Sequence, residues 1–473
     1  MVFSGITFLY YFLPVVLIVY LAVSMLRGRV GLELRNAVLL LASLFFYFWG
    51  EPVYLLLMLG VIGAVYGMGL ILDRLIQTES RLRGPFFALS VAVTLIPLIV
   101  FKYADFLIRA VNSWFGVQVP LPGLALPVGI SFYTFQILSY LIDLNWGRIR
   151  VQKRPDRLAL YVSLFPQLIA GPIVRYAEVE KELKERETSL TRLSAGMERF
   201  VIGLAKKVLI ANVLGDFCSV YRGSTEGGML FAWLYAAAVS LQLYFDFSGY
   251  SDMAIGLGTM FGFTFPENFR YPFICRSITE FWRRWHMTLG GWFRDYVYIP
   301  MGGNRVSKLR WMGNLLVVWG LTGLWHGADW NFLLWGLYFG VLLTCEKLFW
   351  GKLLEKLPSV LRWMITIVLI MVSFLIFDSE GISGIGTNLK ALVSGKAVTA
   401  ESLYYLRSYG VLFAIAAAGA TPVPAWCMKK IRSSAIGEQL VILARPVVLA
   451  GLLILCTAFL VDGSFNPFLY FRF

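Results

Sequence analysis

The chain contains only two histidines, His286 and His326, in 473 residues. Imidazole can take or give a proton near neutral pH and can also accept an acyl group transiently. His326 lies in Leu324-Trp325-His326-Gly327, inside a long apolar segment. An ionisable side chain there is costly and is a functional-site candidate by default, against the plainer role of bonding a carbonyl or capping a kink. His286 lies in the charged aromatic stretch Phe281-Trp282-Arg283-Arg284-Trp285-His286-Met287-Thr288-Leu289-Gly290-Gly291-Trp292. Interfacial Trp, Arg and His also serve as membrane anchors, so anchoring competes with chemistry at this position.

The elements that must position these rings are membrane helices. Hydrophobic residues make up 58% of the chain and charged residues 15%, which excludes an ordinary soluble domain. The apolar stretches run for about 17 to 25 residues, the length of a helical span, whereas a barrel strand would alternate and be shorter. The fold class expected is all-α, a polytopic transmembrane protein of about 11 to 13 membrane helices, some of them re-entrant. Spans are expected near 6–26, 36–50, 53–72, 86–101, 127–146, 158–174, 205–221, 229–247, 312–326, 330–346, 361–378, 405–421 and 445–462. The first is read as a retained span, because it lacks the basic leader of a signal peptide.

The net charge of +14 would suggest nucleic acid in a soluble protein. Here Lys and Arg cluster between apolar segments, as at 27–35, 148–157, 181–207 and 270–310, so positive-inside anchoring is the reading and no nucleic-acid partner is expected. Those loops are placed in the cytoplasm, the spans near 86–101 and 127–146 are expected to be separated by Lys102 to Ala125, and both termini face outward. The segment 158–174 carries Phe165-Pro166-Gln167 and Ala170-Gly171-Pro172, breakers that suit a re-entrant element. The region 246–310 is rich in Phe, Trp, Tyr and Gly and reads as buried non-helical backbone around a cavity. Without an internal repeat or a soluble module, residues 1–473 read as one membrane-embedded domain, with a catalytic core at about 127–347. Five scattered cysteines with no CxxC pair give no expectation of a disulfide framework or a metal site.

From Arg305, Lys308 and Arg310 an apolar run climbs about 20 Å to Trp325, and Gly327-Ala328-Asp329-Trp330-Asn331 then turns it back. His326 is therefore placed towards the outer leaflet, at a hairpin tip. His286, flanked by Arg283, Arg284 and Arg294, is placed at a different depth, near the cytoplasmic interface. A helix over 280–292 would set Arg283 and His286 on one face with Gly290, suited to an anionic ligand. Asp246 and Asp252 are expected to pair with Arg283, Arg284 or Arg270. Asp329 either orients the His326 imidazole or stands exposed at the tip.

Several motifs in order carry a resemblance: Met1-Val2-Phe3-Ser4, Pro127-Val128-Gly129-Ile130-Ser131-Phe132-Tyr133-Thr134-Phe135-Gln136, Phe165-Pro166-Gln167-Leu168-Ile169-Ala170-Gly171-Pro172-Ile173, and residues 244–256 and 324–336. With them stand Trp292-Phe293-Arg294-Asp295-Tyr296-Val297-Tyr298-Ile299-Pro300 and Asn466-Pro467-Phe468-Leu469-Tyr470-Phe471-Arg472-Phe473. Over nearly its whole length the chain resembles the membrane-bound O-acyltransferases of the alginate O-acetyltransferase type. The resemblance implies a central tunnel, His326 as catalytic histidine, His286 as the second functional one, and Arg283, Arg284, Trp285 and Arg294 at the donor entrance. It also implies acetyl-CoA as co-substrate, no metal, a bacterial cytoplasmic-membrane location, and an extracytoplasmic SGNH-type acetyltransferase partner that serves a polysaccharide acceptor. The segment 465–473 is then expected to pack near that partner. D-alanyl transfer to teichoic acid is the alternative within the enzyme class, and a polysaccharide-precursor transporter the alternative outside it.

Overall fold

The computed structural model describes residues 1–26 and 28–462. Arg27 of the first basic cluster, the 466–473 motif and the expected packing of 465–473 lie outside the described residues. Among the described residues the chain is helical, without strands. Seven helices among the described residues are long and apolar enough to cross a membrane: Gly28–Gly50, Pro52–Gln77, Arg83–Phe115, Met229–Met260, Trp330–Leu354, Ser359–Asp378 and Ala435–Val461. An eighth crossing results if Ala400–Gly419 and Val423–Ile431, bent by 71°, form one broken span. This is a multi-pass helical membrane protein.

The segments expected near 6–26, 127–146, 158–174, 205–221 and 312–326 fold as helices or helix pieces that fall outside that set, the first as the shorter apolar helix Phe8–Ser24. Protein surrounds two of these segments. Ile130–Asn145 is buried almost all round, so protein rather than lipid covers its Gln136 and Asp143. The 158–174 stretch takes in most of helix Pro155–Ser163, about 13 Å long and buried over 160–163, and the short turn Phe165–Leu168, which is fully buried. Its breakers thus sit where protein groups can satisfy the freed backbone.

Two expected interruptions are corrected. Arg83–Phe115 continues through Lys102 by way of a π-helical turn at Ile99–Tyr103, with the ammonium buried 3.4 Å from Ser131 Oγ. Met229–Met260 likewise continues through Asp246 and Asp252 as regular helix, and the irregular backbone begins only after it. Their carboxylates pair with cations other than those expected. Asp246 meets Lys207 at 2.5 Å, both buried, and Asp252 meets Arg199 at 2.9 Å. Neutralised carboxylates let the helix pass without a break.

The chain divides into two compact units, Met1–Phe200 with Ser251–Pro266, and Val201–Tyr250 with Glu267–Phe473. The first is centred on Phe3, Phe8, Phe12, Phe46 and Phe165, whose rings contact one another edge-on or tilted. The second holds both histidines and an aromatic core that includes Phe281, Trp285, Trp335, Phe339 and Phe374.

Candidate active site

The hairpin of Lys308–His326 and Trp330–Cys345 is packed backbone to backbone. A Cβ on Gly323 would lie 2.2 Å from the Phe332 carbonyl oxygen, and one on Gly336 would lie 2.2 Å from that of Trp319. Only glycine permits this approach, and it fixes the height at which His326, the last helical residue, is presented. The returning helix is capped by Asp329, whose carboxylate accepts from Trp330 N at 2.6 Å. Asp329 is exposed and acts on the helix end rather than on the imidazole, so of the two expected roles the tip position is the one observed.

Asn331 ties the hairpin tip to the neighbouring helix end, donating from Nδ2 to the carbonyls of Phe377 at 3.0 Å and Ser379 at 2.9 Å. Phe377 is thereby held against His326, with ring centroids 5.3 Å apart. Trp335 and Trp325 complete the aromatic wall, each 4.9 Å from the imidazole centroid. His326 is buried.

A continuous helix over 280–292 does not form, and two short helices, Ile278–Trp282 and Met287–Phe293, take its place. Ile278–Trp282 is capped by Ser277 Oγ, which accepts from Glu280 N, and by Glu346, whose carboxylate accepts from Ile278 N at 2.7 Å and Thr279 N at 3.1 Å. The chain then leaves the helix because residues 284–287 bond to another strand of backbone. Arg270 N donates to Arg284 O, and Met287 N donates to Asn268 O, each at 2.9 Å. His286 takes φ +43°, ψ +53°, a left-handed conformation costly for a residue with a Cβ, and Met287–Phe293 begins after it. The expected shared face of Arg283, His286 and Gly290 therefore does not form.

That strained backbone turns the imidazole inward, where it is 1% exposed. Its Nδ1 lies 3.0 Å from Asn268 Oδ1, which also accepts from Thr288 Oγ1 at 2.9 Å. An amide oxygen only accepts, so Nδ1 carries the proton and Nε2 keeps its lone pair. Nε2 is buried and has no hydrogen-bond partner among the described residues. Burial pushes the His286 pKa down to about 3, so the ring is neutral at physiological pH. Phe247 stands edge-on at 4.7 Å, and Trp325 lies at 5.8 Å.

Trp325 thus packs against both histidines. Their ring centroids lie 5.8 Å (His286) and 4.9 Å (His326) from that of the indole. Among the other expected residues, Trp285 lies in the packed core against Phe269, Phe281 and Phe374, which corrects its placement at an entrance. Arg284 pairs with Glu280 at 2.8 Å, Arg294 is exposed beside Asp295 at 2.7 Å, and Arg283 is exposed. Asn268, Asn331 and Glu346 were not anticipated, and each acts through contacts distant in sequence. Among the described residues no group of three His, Cys, Asp or Glu is placed to hold a metal ion.

Over 389 residues the chain is 41% identical to the probable alginate O-acetylase of Pseudomonas aeruginosa, covering 81% of this chain and 73% of that protein. The model of the membrane-bound O-acyltransferase family matches residues 157–383, which include both histidines. The chain belongs to this family. It is an O-acyltransferase, and an acyl donor is its co-substrate. The peptidoglycan O-acetyltransferase of Helicobacter pylori is 34% identical over 76% of this chain and 74% of its own length. The teichoic acid D-alanyltransferase of Bacillus subtilis is 34% identical over 52% of this chain and 65% of its own length.

Proposed function

We propose that this O-acyltransferase takes an acetyl group from cytoplasmic acetyl-CoA and passes it across the bacterial cytoplasmic membrane for O-acetylation of an extracytoplasmic polysaccharide. The observation that carries the reading is the packing of both histidines on Trp325, with an open lone pair on His286 Nε2. CoA is too polar to cross a bilayer, whereas the acyl group alone can pass to an acceptor that reaches the histidines from the outer side. His326 is assigned as the catalytic histidine. One imidazole removes the acceptor's proton as the acceptor attacks the thioester carbonyl; the new acyl bond forms, the C–S bond breaks, and the thiolate takes the proton. His286, held as the Nδ1–H tautomer, suits the base role.

Arg283 and Arg294, exposed beside the His286 segment, are assigned to the anionic part of the donor. An SGNH-type partner on the outer side receives the acetyl group and selects the polymer. The range of acceptors named for similar proteins, alginate and peptidoglycan, supports a scaffold that leaves acceptor choice to another component. D-alanyl transfer is the second reading, and the shorter match to the teichoic acid enzyme, 52% of this chain against 81%, favours acetyl transfer.

The test is transfer of labelled acetyl from acetyl-CoA to polysaccharide by the full chain in nanodiscs, with and without an SGNH-type acetyltransferase. Label reaching polymer only when both proteins are present is expected. Transfer from a D-alanyl carrier but not from acetyl-CoA would overturn the donor assignment.

A further inference from the structure

Three basic clusters that are distant in sequence converge within the first unit. Arg29 and Arg35 on Gly28–Gly50, Arg157 on Pro155–Ser163, and Arg186 and Arg192 beyond Tyr176–Lys184 line one surface cavity of about 940 Å³. Seven of its thirteen lining residues are Lys or Arg and three are Glu. Part of that charge is neutralised locally, since Arg157 pairs with Glu33 at 2.7 Å and Lys184 with Glu180 at 2.6 Å. Arg29 and Lys181 are exposed and form no ion pair among the described residues.

Arg186 is the unusual member. It is 5% exposed, donates from Nε to Tyr20 Oη at 3.0 Å and from Nη1 to the Glu182 carbonyl at 3.3 Å, and stacks 4.4 Å over Phe263. Its Nη2 is buried with no hydrogen-bond partner among the described residues. Gly262, at φ +85°, admits the side chain, because a Cβ there would lie 2.7 Å from Arg186 Cγ. Arg35 adds a second guanidinium beside it, donating from Nη1 to the Arg186 carbonyl at 3.1 Å. Burial pushes the Arg186 pKa down, a cost that an anion in the cavity would offset.

A buried guanidinium with an unused donor, a second one beside it and unpaired cations at the rim are the parts of a phosphate site, because the planar fork matches phosphate oxygens. We propose that this cavity binds a phosphate-bearing anion, with Arg186 and Arg35 at its inner end and Arg29 and Lys181 at its rim. The source is either the headgroup of an anionic phospholipid or a free phosphate compound. The proposal does not depend on the acyl-transfer reading.

The test uses the full chain in phosphatidylcholine nanodiscs titrated calorimetrically with inorganic pyrophosphate, and, in parallel, native mass spectrometry of protein exchanged into phosphatidylglycerol. Saturable pyrophosphate binding supports a free-phosphate ligand, and retained phosphatidylglycerol without pyrophosphate binding supports a headgroup. Arg186→Gln is expected to weaken binding about tenfold or more. Arg29→Glu with Lys181→Glu, rim changes that leave the core intact, carries the test if the buried variant does not fold. Arg432→Glu, exposed and outside the cavity, is the control and should bind as wild type. Absence of both ligands, or binding that is equal in the wild type and the rim variant, overturns the proposal.

Discussion

The side-chain oxygen of Asn268 lies 3.0 Å from His286 Nδ1 and leaves Nε2 as the only basic nitrogen of that ring. Asn268 is a positioning residue in this account, since it acts through the imidazole. Asn268→Leu removes the acceptor that fixes the tautomer and is expected to lower kcat about 100-fold with little change in KM for the donor. Asn268→Asp keeps an acceptor at the same place and should retain more activity, with a pH profile displaced upward because a carboxylate favours imidazolium. Steady-state kinetics of the two variants across pH separates this role from simple packing.

Burial of His286 has a consequence for acid stability. The ring lies outside the spanning helices, and its folded-state pKa of about 3 is below the value of about 6.5 expected when unfolded. The stability it contributes is complete above about pH 6.5 and is lost as the pH falls from there towards 3. Thermal unfolding followed from pH 8 to pH 4 should show a steeper acid decline for the wild type than for His286→Gln. Equal declines would contradict a buried neutral ring.

The buried pair of Lys207 and Asp246 allows the Met229–Met260 helix to carry a carboxylate through the second unit. Removing one partner leaves an uncompensated buried charge, so Asp246→Leu or Lys207→Met alone should destabilise by about 3 to 5 kcal/mol. The double variant should recover much of that loss. Denaturant titration in mild detergent, run as a double-mutant cycle, measures the coupling.

Contact between Gly323 and the Phe332 carbonyl sets the height of His326 in its hairpin. Gly323→Ala should lower folded yield and activity together, because the added carbon would sit 2.2 Å from that oxygen. Gly320→Ala, one turn earlier, would meet nothing nearer than 3.9 Å and should be tolerated. Size-exclusion yield and activity of the pair test the close packing.

Much of the scaffold is legible because membrane helices are written locally. The basic residues Arg305, Lys308 and Arg310, the run to Trp325 and the breakers after His326 define the hairpin without reference to the rest of the chain. The break at His286 is not local. Nothing in 280–292 forbids a helix, and it is Asn268 and Arg270 that capture the backbone there. Ion-pair choice is equally non-local, since sequence shows that Asp246 and Asp252 need cations but not that Lys207 and Arg199 supply them. A span that stops before Lys102 is what the local sequence suggests, whereas a π-helical turn and Ser131 accommodate the ammonium inside one helix.

Thiol release from acetyl-CoA by the full chain in nanodiscs, with an SGNH-type acceptor protein present, tests most directly whether His286 and His326 act on one acyl group. His326→Ala and His286→Ala should each reduce release at least about 100-fold, and the double variant should be no slower than the slower single, as for residues that work as a unit. Wild-type rates in folded His326→Ala protein, or losses that multiply in the double variant, would contradict the account.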